Sequence, residues 1–118
     1  MGLDITHDCW HGPYSKFMRF RRSLCLQINI DIDMFSDYGG NGKSSESLDH
    51  DIMPLINHSD CDGRLTVKES RRIIKGLQSI LDNFNKDLPM DYDFKDMIIQ
   101  FKKGLELSVK SRQIVRFH

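Results

Sequence analysis

In the stretch His58-Ser59-Asp60-Cys61-Asp62-Gly63-Arg64-Leu65-Thr66-Val67-Lys68-Glu69, oxygen-bearing side chains recur at the spacing a hard divalent cation needs. Counted from His58, Asp60 stands third, Asp62 fifth, Thr66 ninth and Glu69 twelfth. Calcium takes about six to eight oxygens, a glycine allows the sharp turn between them, and a final Glu can close the site with both carboxylate oxygens. Gly63 holds the sixth place, and Leu65, the eighth, is the apolar residue that would anchor the loop to a core. His58 breaks the pattern, because a ring nitrogen suits zinc, copper or nickel better than calcium. With three carboxylates in the loop, calcium is expected to bind weakly. The same residues also have a plainer use. Thr66 and Glu69 make a capping box for a helix start, and Asp-x-Asp-Gly is a common tight turn.

As a metal site, the layout resembles a lone, degenerate EF-hand loop. No partner loop accompanies it, since the acids and glycines of Asp31–Gly42 stand at the wrong spacing. A second candidate is the segment Trp10-His11-Gly12-Pro13-Tyr14-Ser15-Lys16-Phe17-Met18-Arg19-Phe20-Arg21-Arg22, which interleaves aromatics with arginines. Guanidinium forks bind phosphate or carboxylate, and aromatic faces stack on bases. Here Arg19 and Arg22 would hold an anion, Trp10 and Tyr14 would stack, and the glycine-rich Tyr38–Gly42 would close over it. The bland alternative is an amphipathic helix with aromatics inward and cations in water.

Other chemistry has less behind it. His7, Cys9 and His11 would share a strand face and, with His58, could offer nitrogen and sulfur ligands to zinc, but not at a recognised zinc spacing. Cys9, beside Asp8 and two histidines, is the cysteine best placed for a nucleophile. His7, His58 and Asp60 could instead serve a metal-assisted phosphoester hydrolase. No nucleophile elbow, phosphate-binding loop or dinucleotide fingerprint occurs, so a non-enzymatic protein is the expectation. Gly2 and Thr6 match a short myristoylation pattern.

The elements that must position these residues follow from composition and periodicity. At 118 residues, 39% hydrophobic and 29% charged, the chain has the composition of a single globular domain spanning 1–118. It contains no alanine, and 12 Ile and 11 Leu carry most of the core. No apolar run is long enough for a membrane span. Three cysteines without a secretion signal suggest free thiols and a cytoplasmic location in the host cell. Charge is balanced at +0 overall but comes in blocks: +4 over residues 10–30, −7 over 31–62 and +4 over 63–76. Such blocks usually pair within one fold or face solvent, and a pI near 7.0 gives no footprint for duplex nucleic acid.

Alternation from Leu3 to Cys9 predicts a short strand, and Ser15 can cap the helix carrying Phe17, Phe20, Leu24 and Ile28. Periodicity lapses from Asn29 to Ser47. A short second helix should begin near Ser47 and contain Pro54 late in its length. Ile73, Ile74, Leu77, Ile80, Leu81 and Phe84 mark a third helix, and Phe94, Met97, Ile98, Phe101, Leu105 and Val109 a fourth. Ile114–His118 is β-prone. The expected fold is mainly α within an α+β class, with about four helices and short terminal strands that can pair.

Met1-Gly2-Leu3-Asp4-Ile5-Thr6-His7, Tyr14-Ser15 with Phe17 and Arg19-Phe20-Arg21, His58-Ser59-Asp60-Cys61-Asp62-Gly63 and the closing Phe117-His118 resemble a group of small, uncharacterised proteins encoded by phages and prophages. That resemblance implies an accessory role directed at something of the host, including defence proteins or their nucleotide signals. The leading expectation is therefore a counter-defence binding protein that sequesters a small anionic ligand or a host protein, with a homo-oligomer left open. The alternative is a calcium-binding module built on His58, Asp60, Asp62, Thr66 and Glu69.

Overall fold

The structure, a computed structural model, describes residues 2–35, 39–42, 50–56 and 63–117. In chain order the elements are β1 (Gly2–Ile5), β2 (Trp10–Pro13), α1 (Tyr14–Gln27), a 3-10 turn (Ile32–Met34), α2 (Met53–Ile56), β3 (Gly63–Leu65), α3 (Val67–Asp82), α4 (Phe94–Lys110) and β4 (Val115–Phe117). The strands form one antiparallel sheet in the order β2-β1-β4-β3. This is the α+β fold expected, and the terminal strands do pair, with Ile5 opposite Phe117.

The N-terminal strand is shorter than its alternation predicts. It stops at Ile5, and Thr6–Cys9 makes a tight turn closed by the Cys9 N–H on the Thr6 carbonyl at 3.3 Å. His7 and Asp8 hold φ of 62° and 58° there, the positive values a type I′ hairpin turn requires at both central residues. The chain then runs back so that Gly2 faces Pro13 and Ile5 faces Trp10. His7, Cys9 and His11 therefore do not share one strand face, which corrects the expectation behind a zinc site. Pro13 ends an edge strand, where a missing N–H costs no ladder bond. It also serves as the N-cap of α1 with no side-chain bond, so Ser15 is not the cap.

Leu3 and Ile5 from β1, Phe17, Phe20 and Leu24 from α1, Ile73, Leu77 and Ile80 from α3, and Phe94, Ile98, Phe101 and Leu105 from α4 meet in one core. Aromatic rings tie it together: Phe17 lies 5.1 Å from Trp10 and 6.0 Å from Phe117, and Phe20 lies 5.7 Å from Phe101. Two helical glycines mark close approaches. A Cβ at Gly104 would stand 2.5 Å from the Cys9 sulfur and 2.8 Å from the His7 carbonyl, so only glycine lets α4 seat the hairpin turn. A Cβ at Gly76 would meet Ile52 at 2.6 Å, where α3 passes the residues leading into α2.

The second helix also differs from expectation. Its described part is Met53–Ile56, so Pro54 falls in the first turn, where proline is tolerated. The expected start near Ser47 lies outside the described residues.

Candidate functional site

The Arg/aromatic segment is not assembled as one open face. Trp10 is 3% exposed and its ring packs edge-on against Phe17, so it belongs to the core and has no face free to stack on a ligand. Tyr14 is partly buried against the same core. Arg19 and Arg22 do line a common depression of about 290 Å³ with Ser23, Leu26 and residues 89–91. Each already holds a carboxylate, Arg19 that of Asp91 at 3.3 Å and Arg22 that of Asp33 at 2.8 Å. Lys16 likewise bonds Asp93 at 2.9 Å. Three cations of the first basic block thus each hold an acid, leaving the depression little net positive charge. Tyr38 lies outside the described residues.

The second basic block behaves differently. Thr66 caps α3 through the Glu69 N–H, and a Glu69 carboxylate oxygen accepts the Thr66 N–H at 3.0 Å, so the capping box is formed. This start fixes the register of Lys68, Arg71, Arg72 and Lys75, whose i, i+3, i+4, i+7 spacing places them on one helix face. All four line a groove of about 560 Å³ with Glu69, and with Asp51 and Pro54 opposite. Arg72 reaches Asp51 at 3.4 Å. Lys68, Arg71 and Lys75 have no carboxylate partner among the described residues.

Within the terminal turns anions favour a helix N-terminus and cations its C-terminus; α3 has Lys68 beside Glu69 in its first turn and no basic residue in its last. Lys68–Arg72 and Arg71–Lys75 are like-charge pairs at i, i+4, each costing a few tenths of a kcal/mol. The face therefore carries unfavourable local electrostatics that an incoming anion would relieve. The cations were visible in the sequence as a charge block; their shared face became visible only with the helix register.

Of the calcium-type residues, Thr66 and Glu69 are both engaged in the capping box, and His58, Asp60 and Asp62 lie outside the described residues. Gly63 has φ of 117°, and Leu65 is fully buried and paired with Val115 of β4. Among the described residues, no group of three or more His, Cys, Asp or Glu side chains is placed to hold a metal. Cys9 is fully buried, and burial, helped by Asp8, pushes its thiol up to about 12. Cys25 is pushed up to about 12 by burial as well. Neither is a thiolate near neutrality, which removes Cys9 as an activated nucleophile. Cys61 lies outside the described residues.

His11 forms the one histidine–carboxylate cluster among the described residues. Its Nδ1 meets Asp4 at 2.8 Å across the hairpin and its Nε2 meets Asp8 at 2.7 Å. Both nitrogens facing carboxylates favours the doubly protonated ring, and the hydrogen bonds to Asp4 and then Asp8 raise its pKa. A raised folded pKa means the stabilisation is fully present below the unfolded value, about 6.5, and is lost as pH rises through the folded pKa. All three groups are exposed, so the effect is small. His11→Ala is expected to lower the melting temperature slightly at about pH 6 and not at about pH 9. Thermal denaturation of both proteins at the two values checks it, and an equal difference at both would contradict the clamp.

The chain matches no protein-family model, no curated protein and no solved structure with significance. No helix among the described residues is long and apolar enough to cross a membrane. Fold and site together define a small α+β protein with a cation-lined groove on its longest amphipathic face but one, between α2 and α3.

Proposed function

We propose that this protein is a non-enzymatic binding protein that captures an anionic partner in the groove between α2 and α3. One observation carries the reading: Lys68, Arg71, Arg72 and Lys75 share one face of α3 in two like-charge i, i+4 pairs, and three of the four have no carboxylate partner among the described residues. The row runs about 10 Å along the helix axis at about 1.5 Å per residue. Among the described residues no aromatic side chain lines the groove to stack a base. These features favour an extended polyanion, such as an acidic segment of a host protein, over a mononucleotide. The resemblance to phage-encoded proteins supplies the biological role, sequestration of a host component in counter-defence.

Fluorescence anisotropy with a labelled oligoglutamate peptide and a labelled ATP analogue tests the reading over a salt series. The expected result is peptide binding that weakens steeply as salt rises. Binding of the nucleotide alone would transfer the reading to a small ligand, and no binding of either at low salt would overturn it.

Calcium binding by His58, Asp60, Asp62, Thr66 and Glu69 is the second reading. It is favoured by Leu65, which anchors the end of the loop in the core through β3. Calcium should then raise the melting temperature, and Asp62→Ala should abolish the rise. No rise in the unmodified protein would leave the loop as a turn and helix cap.

A further inference from the structure

At the other end of the sheet, the hairpin turn, the C-terminal end of α4 and β4 enclose an open depression of about 520 Å³. It is lined by Thr6, His7, Arg112, Gln113, Ile114 and Arg116. None of these elements contributes to the groove between α2 and α3. Among the described residues no acid lines the depression, and neither Arg112 nor Arg116 has a carboxylate partner. Arg64 stands opposite Arg116 in the β3–β4 pairing.

A hydrogen-bond chain sets the polarity of the neutral groups. Gln113 Oε1 can only accept, so His7 donates its Nε2–H there at 2.8 Å, and in a neutral ring Nδ1 is left to accept the Thr6 hydroxyl proton at 3.1 Å. Thr6 Oγ1 in turn accepts the Arg116 N–H at 2.9 Å. With its oxygen occupied, Gln113 has its NH2 left as a donor. Every uncommitted polar side chain at the site is thus a donor: two guanidinium forks and one amide.

The backbone adds a second, separate indication. His7 and Arg112 both hold left-handed conformations, at φ 62° and 55°. Glycine or asparagine would adopt these positions more easily, at a hairpin turn and just past a helix end. Strained residues retained against local preference mark functional sites. Here the two strained residues of widely separated sequence line the same depression.

From this we infer a phosphate-binding site in which Arg112, Arg116 and the Gln113 amide hold the oxygens of a free phosphate or a phosphate monoester. Paired guanidinium forks match tetrahedral oxyanions, and no Phe, Tyr or Trp ring among the described residues lines the depression to select a base.

The test is NMR titration of the full chain with inorganic phosphate and, separately, with phosphoserine. Saturable shifts at Arg112, Arg116 and Gln113 are expected, and tighter binding of phosphoserine would assign the site to an esterified phosphate and equal binding to a free one. Arg116→Gln should weaken binding about tenfold. Arg112→Gly should weaken it similarly while raising the melting temperature by a few degrees, because the strain is relieved. Shifts confined to Lys68, Arg71 and Lys75, or affinity unchanged in both variants, would overturn the inference. A fall in melting temperature for Arg112→Gly would show that the arginine serves the fold and overturn it too.

Discussion

Replacing Lys68, Arg71 and Lys75 together by Glu is expected to lower affinity for an oligoglutamate probe roughly a hundredfold, from exposed charge contacts of up to about 1 kcal/mol each. The same variant should melt no lower than the unmodified protein. It replaces the Lys68–Arg72 repulsion by an attraction, exchanges one like-charge pair for another at 71 and 75, and puts an acid at 68, in the first turn, where the helix dipole favours it. Loss of binding with retained stability separates a functional row of cations from a structural one. As the contrast, Arg19→Ala with Arg22→Ala should leave binding unchanged, because those arginines already hold Asp91 and Asp33. Anisotropy and thermal denaturation on the same samples provide both readings. Unchanged affinity in the triple variant would contradict the proposed groove.

The second large effect concerns the core. Phe20→Ala should cost about 3–5 kcal/mol of unfolding free energy, as large-to-small aromatic substitutions in cores do. Phe20 is 1% exposed and its ring lies 6.2 Å from Phe17, 5.8 Å from Phe94 and 5.7 Å from Phe101. It is the joint between α1 and α4, and the cavity left by alanine would be lined by rings too rigid to collapse into it. A domain of this size has only about 5–15 kcal/mol to lose. Urea denaturation should show the midpoint fall with little change in slope. A loss below about 1 kcal/mol would mean that the ring is not a core element.

The helices were legible because their apolar residues keep the helical period. Phe17, Phe20 and Leu24, then Ile73, Leu77 and Ile80, then Phe94, Ile98, Phe101 and Leu105 are all buried as the spacing predicts. The hairpin was not legible. Thr6-His7-Asp8-Cys9 lacks the Asn-Gly signature of its turn, and the alternation from Leu3 to Cys9 runs straight through it. β3 was missed because Gly63-Arg64-Leu65 is too short to show a period and gains its order from pairing with β4.

The anion site read from Arg19 and Arg22 depended on what those arginines face. Their partners, Asp91 and Asp33, are separated from them by 72 and 11 residues, information that local spacing does not contain. The row on α3 was within reach of the sequence, since the positions 68, 71, 72 and 75 already have helical spacing. Thr66 and Glu69, read as a capping box, were enough to set that register.

Native mass spectrometry of the full chain mixed with an oligoglutamate peptide tests the central claim most directly, because it reports stoichiometry and occupancy together. One peptide bound per chain is expected, and loss of that adduct in the variant with Glu at 68, 71 and 75. A bare polypeptide mass in every mixture, or an adduct that persists in the variant, would contradict it.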